Sequence, residues 1–114
     1  MEESSKEKVE NNQFLVKKEK EIKRIFNKKL RMFSFDVELD LKFIKKRPIV
    51  DENVYGEAFP EEKRVKLEVF IYDISIEEIK KIICHELLHI KYPDLSHNDD
   101  KFEEELNKCL DNSV

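Results

Sequence analysis

The stretch SIEEIKKIICHELLHIKYPD, residues 75–94, decides how the chain folds. Ser75 stands where a helix needs a capping side chain, and Glu78 three residues later has the spacing of a capping box. Ile74 and Ile79 flank the cap at the spacing of a hydrophobic staple. Ile76, Ile79, Ile83, Leu87 and Ile90 then recur as one apolar stripe, which predicts a helix up to Tyr92, where Pro93 cannot continue it. Inside this helix His85-Glu86-Leu87-Leu88-His89 sets two imidazoles four residues apart on one face. That face lies roughly a third of a turn from the apolar stripe, so the helix can bury one and present the other to a cleft.

Two imidazoles at this spacing can meet one Zn²⁺, and Glu86 is placed to act on a water rather than on the metal. His97 follows within ten residues and completes the chain's three histidines. The expected site is therefore one Zn²⁺ per chain on His85, His89 and His97, with a fourth position open for water. The metal would lower the pKa of that water. Glu86 would take its proton during attack on a carbonyl and hand it to the leaving amine. Glu103, Glu104 and Glu105 offer carboxylates as an alternative third ligand. Asp94, Asp99 and Asp100 could orient a ligand histidine, but helix capping explains Asp99 and Asp100 as well. Tyr55, Tyr72 and Tyr92 are candidates for holding an oxyanion and equally for core packing. The plainer reading of the motif is a surface helix with two solvated histidines. The capped amphipathic helix, the strand-like run before it and the absence of histidines elsewhere weigh against that.

Upstream, Leu15, Ile22, Phe26, Leu30 and Phe33 recur at helical spacing and predict a long packing helix ending near Met32. Lys17, Lys18, Lys23, Arg24, Lys28 and Lys29 read as its solvated face. Phe35 to Phe43 alternates apolar and polar residues and predicts a half-buried strand. A second, weaker strand is expected over Asn53 to Phe59 and a third over Arg64 to Tyr72, joined by a turn at Pro60 to Lys63. Gly56 and Ala58 mark either a close approach of another backbone, such as a peptide substrate, or a packing accommodation. A last helix is expected from Asn98 or Asp99, with Phe102, Leu106, Cys109 and Leu110 buried. Its acidic set could supply a group that occupies the water's place on the metal. The short connection before it could also let the helix dock on a second copy. A helix that merely covers the core is the third possibility.

At 114 residues, 42% of them charged and only one a glycine, the chain is expected to form one small domain over 13–114 behind a polar, flexible 1–12. Residues 98–114 form its C-terminal helix and tail. The Lys, Glu and Ile richness is typical of thermophile proteins. A net charge of −4 argues against a dedicated nucleic-acid binder. No signal peptide or membrane-length apolar run is visible. Cys84 and Cys109 lack CxxC spacing, so a reduced cytoplasmic protein with Cys109 as a buried thiol is expected. Cys109 approaching the metal is the lesser alternative.

The order helix, three strands, HExxH helix, final helix resembles the minigluzincins, small zinc peptidases without membrane helices. The resemblance spans Phe14 to Leu110 and rests on His85-Glu86-Leu87-Leu88-His89 and on His97, which stands where related peptidases carry glutamate. It implies an α+β, zincin-like mini-domain, a peptide or protein substrate, and a zymogen restrained by its C-terminal segment. A looser similarity to SprT-like and WLM-type zinc proteases lies in His97 and Phe102, at longer spacing than in that pattern. Two rival functions remain. A three-histidine RNA hydrolase would have a glycine in place of Glu86, and a non-catalytic zinc-binding module would find Glu86 dispensable.

Overall fold

The computed structural model describes residues 12–34, 36–48, 52–96 and 99–111. The polar N-terminus expected over residues 1–12 therefore falls almost wholly outside the described residues. Helix α1 (Asn12–Phe33) buries Ile22 and Phe26 and half-buries Leu15, Leu30 and Phe33, following the apolar stripe of its sequence. Glu19 and Lys23 pair at 2.7 Å on its solvent side. The helix stops where Ser34 takes a left-handed φ of 58° and donates its N–H to the Leu30 carbonyl at 2.9 Å.

Three strands follow: β1 (Glu38–Ile44), β2 (Val54–Phe59) and β3 (Arg64–Phe70), in the sheet order β1-β3-β2. β2 and β3 form an antiparallel hairpin with Gly56 opposite Leu67. Pro60 to Lys63 closes it, and Lys63 takes a φ of 51°. β1 joins the other side of β3 in parallel, with Leu39 opposite Val65 and Leu41 opposite Leu67. The period of two holds: Val65, Leu67 and Val69 are completely buried on one face, and Arg64, Lys66 and Glu68 occupy the other. On that outer face Arg64 bridges Asp40 at 3.1 Å and Glu62 at 3.3 Å and lies over the Phe59 ring.

Helix α2 (Ile76–Lys91) packs against the inner face of the sheet through Ile79, Ile83, Leu87 and Ile90. The Ser75 hydroxyl accepts from the Glu78 amide at 3.3 Å, and the Tyr92 amide donates to the Leu88 carbonyl at 2.8 Å. Helix α3 (Asp100–Asp111) is capped by Asp99, whose carboxylate accepts from the Lys101 amide at 2.9 Å. Phe102 and Cys109 are its fully buried positions. Together these elements form an α+β domain of the zincin-like kind. No helix among the described residues is long and apolar enough to cross a membrane.

Two expectations are corrected. Lys29 is not on a solvated face: it is buried, and its ammonium donates to the backbone carbonyl of Cys109. The last turn of α3 leaves carbonyls without helical donors, and Lys29 satisfies one of them. Burial, and then the charges of Lys80 and Lys28, hold its pKa below the usual lysine value. The cysteines are not separate thiols: Cys84 and Cys109 form a disulfide, with Cα atoms 5.9 Å apart and both residues buried. Spacing in the sequence does not reveal this, because the pair is made by two helices folding against each other.

The bond closes a loop between residues 25 positions apart. Chain entropy alone makes such a link worth about 3 kcal/mol. Replacing both cysteines by alanine should lower the unfolding free energy by roughly that amount, measured by denaturant titration.

Candidate functional site

The expected ligand pair is brought together. His85 and His89 are half-buried on α2, their Nε2 atoms 3.1 Å apart and their ring centroids 4.7 Å apart. Two imidazoles bound to one tetrahedral Zn²⁺ at the usual bond length hold their nitrogens about 3.3 Å apart, so the pair fits such an ion. The third expected ligand, His97, lies outside the described residues. Among the described residues no three His, Cys, Asp or Glu side chains converge as a metal cage. Of the alternative carboxylates, Glu104 pairs with Lys108 at 3.7 Å, and Glu105 pairs with Lys108 at 3.1 Å. Glu105 also accepts from the Tyr92 hydroxyl at 3.2 Å, and Lys108 holds its carboxyl below the usual range. Glu103 is exposed. Tyr92 is therefore committed to α3, and Tyr55 donates to Glu57 at 3.0 Å.

Glu86 is buried, only 7% exposed, although it is charged in type. Burial, and secondly the charge of Glu57, raise its pKa from 4.5 to about 7. A carboxyl poised there can both take and return a proton near neutrality. Tyr55 feels the same neighbourhood: its hydrogen bond to Glu57, its burial and the charges of Glu57, Glu86 and Glu68 push its pKa up.

Gly56 is what admits Glu86. A Cβ on Gly56 would stand 2.4 Å from the Ile82 Cγ2, 3.0 Å from the Glu86 Cγ and 3.2 Å from its Oε2. Gly56 has no positive φ, so the chain's only glycine is used for its missing side chain and not for its backbone freedom. Of the two sequence readings, the structure supports a packing accommodation, with the neighbour being α2 itself.

One contact was missed by sequence reasoning. Phe102 of α3 sets its ring centroid 5.2 Å from His85 and 5.2 Å from His89, inclined at 71° and 42°. In the sequence Phe102 is one member of a helical apolar stripe, and nothing there separates a core phenylalanine from one that faces two histidines.

The fold and the site define a small α+β domain of zincin-like build with a histidine pair and a buried glutamate on one helix. No protein-family model matches the chain, and no curated protein sequence matches it. Among solved structures it is similar to the crystal structure of the metallopeptidase zymogen of Methanocaldococcus jannaschii jannalysin. The two agree with a TM-score of 0.54 at 25% identity, over 76% of this chain and 79% of that chain. This likeness supports a minigluzincin-like fold.

Two outcomes follow from the packing around Glu86. Gly56→Ala should cost about 1–3 kcal/mol of stability, because the Ile82 branch and the Glu86 stem must both move. In the metal-free protein the folded state holds the Glu86 proton to higher pH than the unfolded chain does. Its contribution to stability is complete below about 4.5 and is lost as pH rises through about 7. Urea unfolding across this window should show a decline that Glu86→Gln reduces.

Proposed function

We propose that the chain is a zinc-dependent metallopeptidase in which His85, His89 and His97 hold one Zn²⁺ and Glu86 is the catalytic base. The observation that carries this reading is the convergence of the two Nε2 atoms beside a buried carboxyl whose pKa stands at about 7. The similarity to a solved metallopeptidase zymogen supports it. A bound Zn²⁺ supplies Lewis acidity, activating water and stabilising negative charge on a carbonyl oxygen. Glu86 accepts the proton of the attacking water and delivers it to the amine that leaves.

The substrate is a peptide or protein segment in extended form. β2 is the last strand of the sheet order β1-β3-β2, so its outer backbone groups can pair with such a segment beside Glu86. Glu86 also separates this reading from a three-histidine RNA hydrolase, which has no assigned use for that carboxyl.

Latency belongs to the same reading: the C-terminal segment restrains the full-length chain, as in a zymogen. The Lys, Glu and Ile richness fits a soluble enzyme from a thermophile, and a cytoplasmic place is compatible with the Cys84–Cys109 bond in that setting, where intracellular disulfides are common. Exchange of α3 between two copies would form the Cys84–Cys109 bond between chains, and a dimer on a non-reducing denaturing gel would be its signature.

Digestion of an unfolded protein by the zinc-loaded chain tests the proposal, with Glu86→Ala in parallel and a chain ending at Asp111 beside both. The parent or the shortened chain should cleave, and Glu86→Ala should be slower by about 10²–10⁴-fold while retaining zinc. Equal cleavage by Glu86→Ala, or loss of its zinc, would sink the assignment. Cleavage by the shortened chain alone is the outcome that establishes latency. No cleavage by either, with zinc bound, leaves a peptidase restrained by α3 itself or a binding module, and cleavage after α3 is also removed separates the two.

A further inference from the structure

The histidine pair is useful to a metal only if both rings point to one place. Each imidazole turns about two side-chain torsions; the 3.1 Å Nε2···Nε2 contact joins the rings to each other, and a neighbour packed on both would add to that restraint. Phe102 touches both. Its ring lies at equal distance, 5.2 Å, from the two imidazole centroids, and it is itself 3% exposed. These distances fall within the range in which aromatic rings hold one another in tilted and edge-to-face arrangements. Phenylalanine carries no lone pair and no proton to give, so it acts on the pair by orienting the rings and by shielding them from water.

Phe102 is in turn held by more than its own packing. α3 is a 12-residue helix, too short to be stable in isolation. Three ties fix it. Cys84, the residue immediately before His85, is bonded to Cys109. Tyr92, just past the end of α2, donates to Glu105. Lys29 of α1 donates to the Cys109 carbonyl. The first of these sets the distance between the helices at the position next to a ligand candidate.

We infer that Phe102, anchored by the Cys84–Cys109 disulfide, is a positioning residue for the His85–His89 pair, so that the affinity of the site for metal depends on α3. What the pair binds rests on the metallopeptidase reading above; the positioning rests on the ring geometry and the tether. Loss of the ring removes a restraint shared by both imidazoles and weakens metal binding without removing a ligand. Loss of the disulfide loosens α3 and weakens it through the same ring.

The test uses the full chain loaded with Zn²⁺, followed by competition with a chromophoric chelator, and with Co²⁺, followed by its visible absorption. Phe102→Ala should bind zinc about 10–100-fold more weakly than the parent and alter the cobalt band. Phe102→Tyr, which keeps the ring, should retain near-parent affinity and spectrum. Cys84→Ala/Cys109→Ala should weaken binding in the same direction. Circular dichroism confirms folding, and if Phe102→Ala unfolds, Phe102→Leu carries the comparison, since it keeps apolar volume without a ring. Parent affinity and an unchanged cobalt spectrum in folded Phe102→Leu and in the double cysteine variant would overturn the inference while leaving the metal site intact. A parent chain that takes up neither ion rejects the metal reading itself and this inference with it.

Discussion

β2 comes close to α2 at Gly56, the chain's single glycine, and the enclosure of Glu86 depends on that approach. With no Cβ at this position the strand comes near enough to the helix for Ile82 to pack against backbone and for the Glu86 side chain to be enclosed. A wider separation would leave Glu86 in water, where a carboxyl is an ordinary acid ionised at neutral pH. The inner face of the hairpin is arranged around this contact: Val54, Gly56 and Ala58 lie opposite Val69, Leu67 and Val65, and all six face the helices. Among the described residues left-handed backbone falls on Ser34 and Lys63, and the single glycine stands at a place that admits no side chain.

Around α2 three surfaces take different parts. The sheet covers the aliphatic stripe, α1 lies alongside with Ile22 and Phe26 in the same core, and α3 is bonded to the helix at Cys84. The histidines fall in the gap between the α3 side and the β2 side of the helix. One wall of that gap is apolar, formed by Phe102. The other carries acid, and there the charge of Glu57 adds to burial in raising the pKa of Glu86. A cation in the gap would oppose that shift, because it favours the charged form of Glu86.

Much of this was legible in the sequence, and the reasons differ by element. The strands declared themselves by alternation, since one face meets helices and the other water. α2 was readable from Ser75 to Tyr92 because cap, stripe and stop all agree. The strand ends were less sharp: β1 starts at Glu38, not Phe35, and β3 ends at Phe70, not Tyr72, because pairing across the sheet and not side-chain pattern sets the limits. Lys29, Cys84 and Phe102 were misread or missed for a shared reason. Each owes its environment to the docking of α3 on α1 and α2, and a tertiary contact leaves no local period in the chain. His85 and His89 were legible as a pair because helical geometry alone puts them on one face; their surroundings, and the burial of Glu86 against β2, were not.

The link from Lys29 to the end of α3 has a consequence for how the molecule is assembled. The hairpin and α2 are contiguous in the chain and can form soon after they are synthesised. The wall that Phe102 builds needs a helix made after α2 to reach back to a lysine 80 residues earlier. The order of synthesis therefore produces the motif first and its enclosure afterwards. A nascent chain passes through a stage in which the histidines are present but unsupported, and only the finished polypeptide holds them in register.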